Sequence, residues 1–153
     1  MPQPRCGATL RSKARWSRHP TIARTVEIVS KGREELIHEV LAENVRFQPP
    51  TYWATWEGRA PVAAVLGHVG KVFSDFRYRR IMGDGNDWAL EFQCKIGDLD
   101  AVGVDLLTLN DDGLIETFEV VMRPLKSISA LREAMNERVS TDPRFAEFRK
   151  ALS

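Results

Sequence analysis

The most constraining feature of the sequence is a series of long segments in its second half in which apolar residues recur at every second position. Between Trp88 and Ile96, apolar side chains alternate with polar ones. A period of two is typical of a β-strand with one buried face. Asn110-Asp111-Asp112-Gly113 separates two further segments and has the composition of a hairpin turn. The pattern predicts a meander of antiparallel strands over Trp88–Ile96, Ala101–Leu109 and Ile115–Arg123.

Helical periodicity dominates on either side of this meander. Apolar residues three or four positions apart predict helices over Thr21–Val29, Leu36–Leu41, Pro61–Phe73 and Ser127–Arg138, and a last helix from Pro143. Helices and strands that are segregated along the chain indicate the α+β class. We expect N-terminal helices packed on a curved antiparallel sheet, which together form a half-open cone with an apolar interior.

The length of 153 residues fits a single domain, and charge sets the first twenty residues apart from it. Residues 1–20 contain basic side chains and no acid, whereas the rest of the chain has more acids than bases. We expect residues 1–20 to be a disordered basic arm and residues 21–153 to be the folded domain with a C-terminal helical tail. Nucleic acid is not an expected partner, because Trp16 is the arm's one aromatic residue.

Several classes of protein are excluded by what the sequence lacks. Cys6 and Cys94 are too few for a disulfide framework or a four-cysteine zinc site. The apolar runs are shorter than the roughly 18–20 residues of a membrane span, and the N-terminus lacks the apolar segment of a secretory signal. No glycine-rich phosphate loop or calcium loop is present. We therefore expect a cytoplasmic chain without metal, cofactor or membrane contact.

Three stretches of the sequence resemble a known family. Gly32 is followed by Leu41-Ala42-Glu43-Asn44-Val45, and Trp56-Glu57-Gly58-Arg59 precedes a predicted helix. The most specific stretch runs from Gly103-Val104-Asp105 to Gly113-Leu114-Ile115. Between Thr21 and Arg123 the chain resembles the SnoaL-like branch of the nuclear transport factor 2 superfamily, which includes ketosteroid isomerases, polyketide cyclases and scytalone dehydratases. The resemblance implies the cone fold and chemistry on a small molecule.

Asp105 is the leading candidate for a catalytic residue. It is a lone carboxylate in the apolar segment Val102–Leu109, and an unpaired buried carboxylate either finds a cation or takes up a proton. Asp105 precedes Gly113 by eight positions. The resemblance implies that it matches the protonated aspartate with which ketosteroid isomerases donate a hydrogen bond to an oxyanion. The alternative is a structural aspartate, paired with an arginine or with backbone N–H groups.

Other positions depart from the isomerase pattern. The general base of the ketosteroid isomerases ends the first strand just before a proline, where this chain has Pro49. The tyrosine of their oxyanion hole has no counterpart, and Thr25 is the nearest match. Because proton abstraction needs a base within hydrogen-bonding reach, these departures argue against a ketosteroid-type isomerase. A His–Asp pair of the dehydratase kind would need His68, which we expect to be a partly buried, hydrogen-bonded residue.

The alternation along the strands also predicts which side chains face the interior of the cone. Apolar strand residues are expected to line a cavity for a small hydrophobic ligand, namely Leu90, Phe92, Cys94, Leu107, Phe118, Val120 and Met122. Tyr52, Trp53 and Trp56 are expected at its mouth, as flat stacking surfaces with one polar group each. The alternative is that the strand residues fill the core and that the three aromatic residues form a packed lid.

The second face of the strand Ala101–Leu109 is apolar as well, through Val104 and Leu106. Such a face needs a cover, and association of two copies is the usual solution. Dimers built on this sheet are frequent in the superfamily, so we expect a homodimer. Three functions stay open. They are an isomerase, cyclase or dehydratase in which Asp105 hydrogen-bonds a substrate oxygen, a non-catalytic ligand-binding module, and an interaction domain with a filled cone.

Overall fold

Helices flank the strands on both sides along the chain, as the periodicity predicts. The computed structural model describes residues 15–152. Its helical elements are α1 (Pro20–Ser30), a 3-10 helix (Glu34–Val40), α2 (Arg59–Val72), α3 (Leu125–Ser140) and α4 (Arg144–Leu152). α1 ends just before Gly32, whose φ of +64° lies in the left-handed region that glycine adopts without strain. None of the helices among the described residues is long and apolar enough to span a membrane.

The strands form one six-stranded sheet that is curved and unclosed. They are β1 (Leu41–Gln48), β2 (Trp56–Glu57), β3 (Phe73–Asp84), β4 (Asp87–Ile96), β5 (Leu99–Leu109) and β6 (Ile115–Arg123), in the spatial order β2-β1-β6-β5-β4-β3. The predicted α+β cone is confirmed. The antiparallel meander is β3 to β6, but β1 pairs with β6 in parallel, so that Phe47 lies beside Phe118 and the sheet is mixed.

The core lies between the concave face of the sheet and the helices. Along β4, every second residue from Trp88 to Ile96 is buried, as the alternation predicts. Ile22 and Ile28 of α1 and Val62 of α2 are also fully or almost fully buried and belong to the same core cluster as Leu90 of β4. Because one face of each element is apolar, packing the helices on the sheet removes both faces from water.

Two helix ends differ from the sequence prediction because the next residue belongs to a strand. The segment Leu36–Leu41 was expected to be one helix, but the helix ends at Val40 and Leu41 begins β1 beside Ile115. Phe73 was expected on the buried face of the third predicted helix, but it begins β3 opposite Ile96. In each case pairing with a strand far along the chain determines where the helix ends. Local periodicity carries no information about that pairing.

The predicted basic arm lies mostly outside the described residues, which begin at Arg15. Within its last part, Trp16 is partly buried and packs against the core cluster, and His19 lies edge-on to Trp88, with ring centroids 5.5 Å apart. That the arm is disordered and that the domain begins at residue 21 both remain predictions.

Candidate functional site

A cavity of about 220 Å³ lies between the helical layer and the sheet. Its walls are mainly aromatic and aliphatic, with Phe47, Phe73, Phe76, Phe92 and Phe118 as the aromatic contributors. The 3-10 helix and α2 supply one side of the cavity, and β3 to β6 supply the other. The fold therefore encloses a largely apolar space, and the few polar groups in its walls determine what chemistry it can support.

Asp105 is the polar group on the sheet side of this cavity. In β5 it lies opposite Leu90 of β4 and Val120 of β6, so apolar side chains flank it on both neighbouring strands. It is 8% exposed, and among the described residues no hydrogen-bond or ion-pair partner reaches its carboxyl group. Burial raises the pKa of Asp105 to about 8. At neutral pH its carboxyl group is thus mainly protonated and can donate a hydrogen bond from its O–H.

Tyr78 of β3 adds a second buried polar group nearby. Its hydroxyl oxygen has no hydrogen-bond partner among the described residues. Burial raises the pKa of Tyr78 well above its ordinary value, and the negative charges of Asp105 and Glu34 raise it further. The hydroxyl is therefore close enough to both carboxyl groups to experience their charge. A buried polar group without a partner is uncommon in folded proteins and marks a place where a ligand or water would be favourable.

Glu34 brings a third polar group, from the helical side. It begins the 3-10 helix, lines the same cavity as Asp105 and is half-buried. Burial is the main reason why its pKa is raised, with a smaller contribution from Glu35. The hydrogen bond from its own backbone N–H and, more weakly, Lys71 act in the opposite direction. The carboxyl group rests on Gly70 of α2, where a Cβ atom would lie 2.6 Å from Glu34 Oε2. A larger residue at this position would displace the Glu34 side chain from where it lies.

The ionisable groups that line the cavity are all acids. Glu34, Asp75 and Asp105 contribute carboxyl groups, and no Lys, Arg or His occurs among the described residues that line it. Asp75 lies on β3 with a φ of +49°, an unusual conformation for a residue other than glycine. An anionic ligand would have no cation to pair with here, so the cavity disfavours an anion.

The structure brings together only part of the predicted ligand-binding set. Phe92, Phe118, Val120 and Met122 lie in the cavity wall with Asp105. Leu90 and Leu107 are buried in the core but do not line the cavity. Cys94 is also a buried core residue, and burial raises the pKa of its thiol to about 12, so it is not a ready nucleophile.

The three aromatic residues predicted at the mouth lie elsewhere. Tyr52 and Trp56 line a second cavity of about 300 Å³, which shares Phe47, Pro50, Val69 and Leu131 with the first. The Trp56 indole N–H donates to the Tyr52 hydroxyl. Trp53 is 93% exposed and lines neither cavity. A ligand in the cavity of Asp105 would therefore meet none of these three side chains directly.

Two positions identified from the isomerase pattern have no polar role in this cavity. Pro49 follows the end of β1 and lines the second cavity. The Thr25 hydroxyl is buried within α1 and donates to the Thr21 carbonyl oxygen over 2.7 Å. Neither residue can act as a base or as an oxyanion donor in the cavity of Asp105.

His68 belongs to a separate polar cluster at the C-terminal helices. Its Nε2 lies 2.8 Å from Asp142 Oδ2, and its Nδ1 accepts a hydrogen bond of 3.1 Å from Arg138 Nε. Asp142 also accepts hydrogen bonds from Arg144, and these lower the pKa of the carboxyl group far below its ordinary value. As predicted, His68 is partly buried and hydrogen-bonded. It joins α2 to α3 and α4 and does not line the cavity of Asp105.

Sequence reasoning missed Glu34, Gly70 and Tyr78. The three residues lie on different elements, and their proximity depends on how the 3-10 helix and α2 pack on the sheet. The sequence signal that could have pointed to this region was Gly70. A glycine inside a helix lowers helix stability, and close packing against another residue is a common reason why it occurs there. No group of His, Cys, Asp and Glu among the described residues could hold a metal ion.

The fold and the cavity define a cone-shaped α+β protein with acidic groups in an apolar interior. The model of the SnoaL-like domain matches residues 22–118. The chain belongs to the SnoaL-like family, and its structural neighbours place it in the superfamily of nuclear transport factor 2-like proteins. No curated protein sequence is significantly similar to it.

Solved structures extend the comparison. An uncharacterised protein with a cystatin-like fold from Silicibacter pomeroyi DSS-3 is 71% identical, with a TM-score of 0.85 over 88% of this chain and 96% of that one. A steroid delta-isomerase from Pseudomonas aeruginosa is 30% identical, with a TM-score of 0.77 over 80% of this chain and 90% of that one. An NTF-2 like protein of unknown function from Burkholderia xenovorans LB400 shares the fold at 18% identity, with a TM-score of 0.60 and coverages of 67% and 80%.

Proposed function

We propose that this protein binds a small, neutral, largely apolar ring ketone in the cavity and acts on it as an isomerase, cyclase or dehydratase. The observation that carries the proposal is Asp105, a buried carboxyl group that lines the cavity and has no protein partner among the described residues. Its O–H can donate to a carbonyl oxygen and more strongly to an enolate, where negative charge develops. Similarity to a steroid delta-isomerase supports this class of chemistry.

The size of the cavity favours a ligand with one or two rings. Its volume of about 220 Å³ lies below the roughly 300–1,000 Å³ of pockets that enclose drug-sized ligands. The acidic lining disfavours carboxylates and phosphates, because no cation in the wall would neutralise them. A compact cyclic ketone satisfies both limits, with its rings against the phenylalanine side chains and its oxygen near Asp105.

The binding part of the proposal can be tested with 2-naphthol and naphthalene, which differ by one hydroxyl group. We expect the wild type to bind 2-naphthol more tightly by about two- to tenfold, the value of a hydrogen bond between neutral groups. Asp105→Leu should abolish this preference while naphthalene still binds, and Asp105→Asn, which keeps an N–H donor, should retain part of it. Equal affinities of the wild type for both compounds would contradict the role of Asp105.

A non-catalytic ligand-binding module is the second candidate function. Pro49 supports it, because the residue after β1 cannot abstract a proton. A binding module should hold 2-naphthol as tightly as an enzyme does, but it should not exchange or move the protons of a bound ketone. Turnover of a ketone therefore separates the two candidates.

We also propose that two copies associate through the outer face of the sheet. Met82, Ala89 and Leu106 follow one another across β3, β4 and β5, and Val121 lies beside Val104 on the same face. Met82, Leu106 and Val121 are between 39% and 50% exposed. Glu119 lies beside Leu106 on this face, so the patch is apolar with a charged border, and exposed apolar residues grouped on one face are typical of an interface. The cytoplasmic location expected from the sequence remains a prediction.

The dimer can be tested by sedimentation velocity. Leu106→Glu places a charge in the centre of the patch, and we expect it to convert a dimer into a monomer. Leu125→Glu is the matched control, because Leu125 is 79% exposed at the start of α3 and lies outside the patch. A wild-type chain that sediments as a monomer at high concentration would contradict the proposal.

A further inference from the structure

The helical side of the cavity offers a base that the isomerase pattern does not contain. We propose that Glu34 is the group that accepts and returns the proton in the reaction, with Asp105 as the hydrogen-bond donor on the sheet side. This inference rests on the proposed function and assigns a residue to its proton-transfer step.

The first argument is position. Glu34 and Asp105 line the same cavity from different layers of the fold, since Glu34 begins the 3-10 helix and Asp105 lies in β5. A flat ring ketone between these layers would present its oxygen to one wall and its adjacent C–H bonds toward the other. Tyr78 lies within reach of the charge of both carboxyl groups. Both acids therefore face the same cavity.

The second argument is how the carboxyl group of Glu34 is held. It packs against Gly70, so closely that a Cβ atom there would lie 2.6 Å from Oε2. Glycine inside a helix lowers helix stability by about 0.5–1 kcal/mol relative to alanine. Gly67, one turn earlier on α2, has nothing within 4 Å of an added Cβ atom. A methyl group at position 70 would therefore displace the Glu34 side chain, whereas one at position 67 would not touch it.

The third argument is the environment of the acid. No cation lines the cavity with Glu34, and the charged groups that act on it are Glu35 and, outside the cavity, Lys71. Burial raises the pKa of Glu34 from its ordinary value. A carboxylate with a raised pKa is a stronger base than one in water. Asp105, more deeply buried, keeps its proton.

The proton-transfer step balances without a cofactor. One carboxylate oxygen of Glu34 takes a proton from the carbon beside the carbonyl group, and the C–H electron pair forms the carbon–carbon double bond of an enolate. The carbonyl π pair moves to the oxygen, which accepts a hydrogen bond from the O–H of Asp105. Glu34 then returns the proton to a different carbon, so the double bond changes place and both carboxyl groups return to their initial states.

The test uses the full chain and 3-cyclohexen-1-one, whose isomerisation to 2-cyclohexen-1-one creates a conjugated enone that absorbs ultraviolet light. Glu34→Gln keeps the shape of the side chain and removes the base, so we expect kcat/KM to fall by about a hundredfold or more. The affinity for 2-naphthol should stay within about threefold of the wild type, because Asp105 is intact. Thermal unfolding of each variant verifies that it is folded.

Gly70→Ala and Gly67→Ala form a matched pair on one helix. Gly70→Ala forces the Glu34 carboxyl group to move, and a displacement of a catalytic group by about 1 Å can lower the rate by about a hundredfold. Gly67→Ala adds the same methyl group in open space and should leave the rate unchanged. Equal effects of the two substitutions would contradict a precise placement of Glu34.

The outcomes separate this inference from the proposed function. A wild type that neither isomerises the ketone nor exchanges its α-protons with deuterium oxide overturns the catalytic function, and the role of Glu34 with it. A wild type that is active, together with a Glu34→Gln variant of equal activity, overturns the role of Glu34 alone. Loss of turnover in Glu34→Gln with 2-naphthol binding retained supports both.

Discussion

Asp105 and Asp142 are two partly or fully covered aspartates that titrate in opposite directions. Asp105 is 8% exposed and the side chain of Asp142 is 11% exposed. Burial alone raises the pKa of Asp105 to about 8, whereas hydrogen bonds from Arg144 and His68 hold the pKa of Asp142 far below its ordinary value. The comparison shows that burial without a partner favours a neutral donor, whereas charged hydrogen-bond partners hold a carboxyl group as a fixed anion.

The two aspartates also serve different parts of the fold. Asp142 connects α2, α3 and α4 through His68 and Arg138, and it accepts a hydrogen bond of 3.0 Å from the backbone N–H of Arg144 at the start of α4. Its partners stabilise the fold. Asp105 has no partner among the described residues and lines a cavity. A group that is costly to bury and is not paired is a candidate for function.

The largest expected effect is on the pH dependence of stability. The folded pKa of Asp105 is raised, so between about pH 4 and pH 8 the unfolded chain loses a proton that the folded chain keeps. Its contribution to stability is therefore greatest at low pH and is lost as the pH rises, by up to about 1.4 kcal/mol for each pH unit. Asp105→Asn removes this loss, so the variant should gain stability relative to the wild type from pH 4 to pH 8.

Urea unfolding of both proteins across this pH range measures the difference. Asp111→Asn, in the exposed turn between β5 and β6, is the control and should follow the wild type. Parallel profiles for the wild type and Asp105→Asn would mean that Asp105 is ionised in the folded protein.

Asp142→Asn is expected to have the opposite pH dependence and a smaller effect. The folded pKa of Asp142 is lowered, so its contribution is fully present above an unfolded pKa of about 3.9 and is lost progressively as the pH falls from there toward the lower folded pKa. Removing the charge also weakens the N-terminal hydrogen bond of α4, which is worth about 1–2 kcal/mol at neutral pH. Thermal unfolding at pH 7 and pH 3 should show a difference from the wild type that shrinks in acid. A constant difference would be evidence against the ion pair.

Arg144→Ala is expected to have the smallest effect on stability. Arg144 is 60% exposed, and exposed ion pairs contribute about 0–1 kcal/mol. The pKa of Asp142 should nevertheless rise clearly, because Arg144 is the largest cause of its lowered value. Carbon-13 NMR of the carboxyl group measures this change, with Arg149→Ala on the same helix as the control. An unchanged pKa of Asp142 would shift the explanation to His68.

The strand meander and the candidate role of Asp105 could be predicted because both depend on patterns in neighbouring residues. Alternation from Trp88 to Ile96 indicates a half-buried strand, and a lone acid among valines and leucines is conspicuous. The parallel pairing of β1 with β6 could not be predicted, since Phe47 and Phe118 are distant in sequence. Glu34 was missed for the same reason, because it enters the cavity only when the 3-10 helix packs on Gly70. Trp53 was misplaced because aromatic character does not distinguish an exposed loop from a cavity mouth.

The most direct test of the central claim is the titration of the Asp105 carboxyl group by carbon-13 NMR. Asp105→Asn assigns its signal, and no substrate needs to be known. The structure predicts a midpoint at about pH 8, which corresponds to a neutral acid beside an apolar cavity. A midpoint at or below the ordinary value of about 3.9 would show a stabilised carboxylate and would contradict the role of Asp105 as a hydrogen-bond donor to a substrate oxygen.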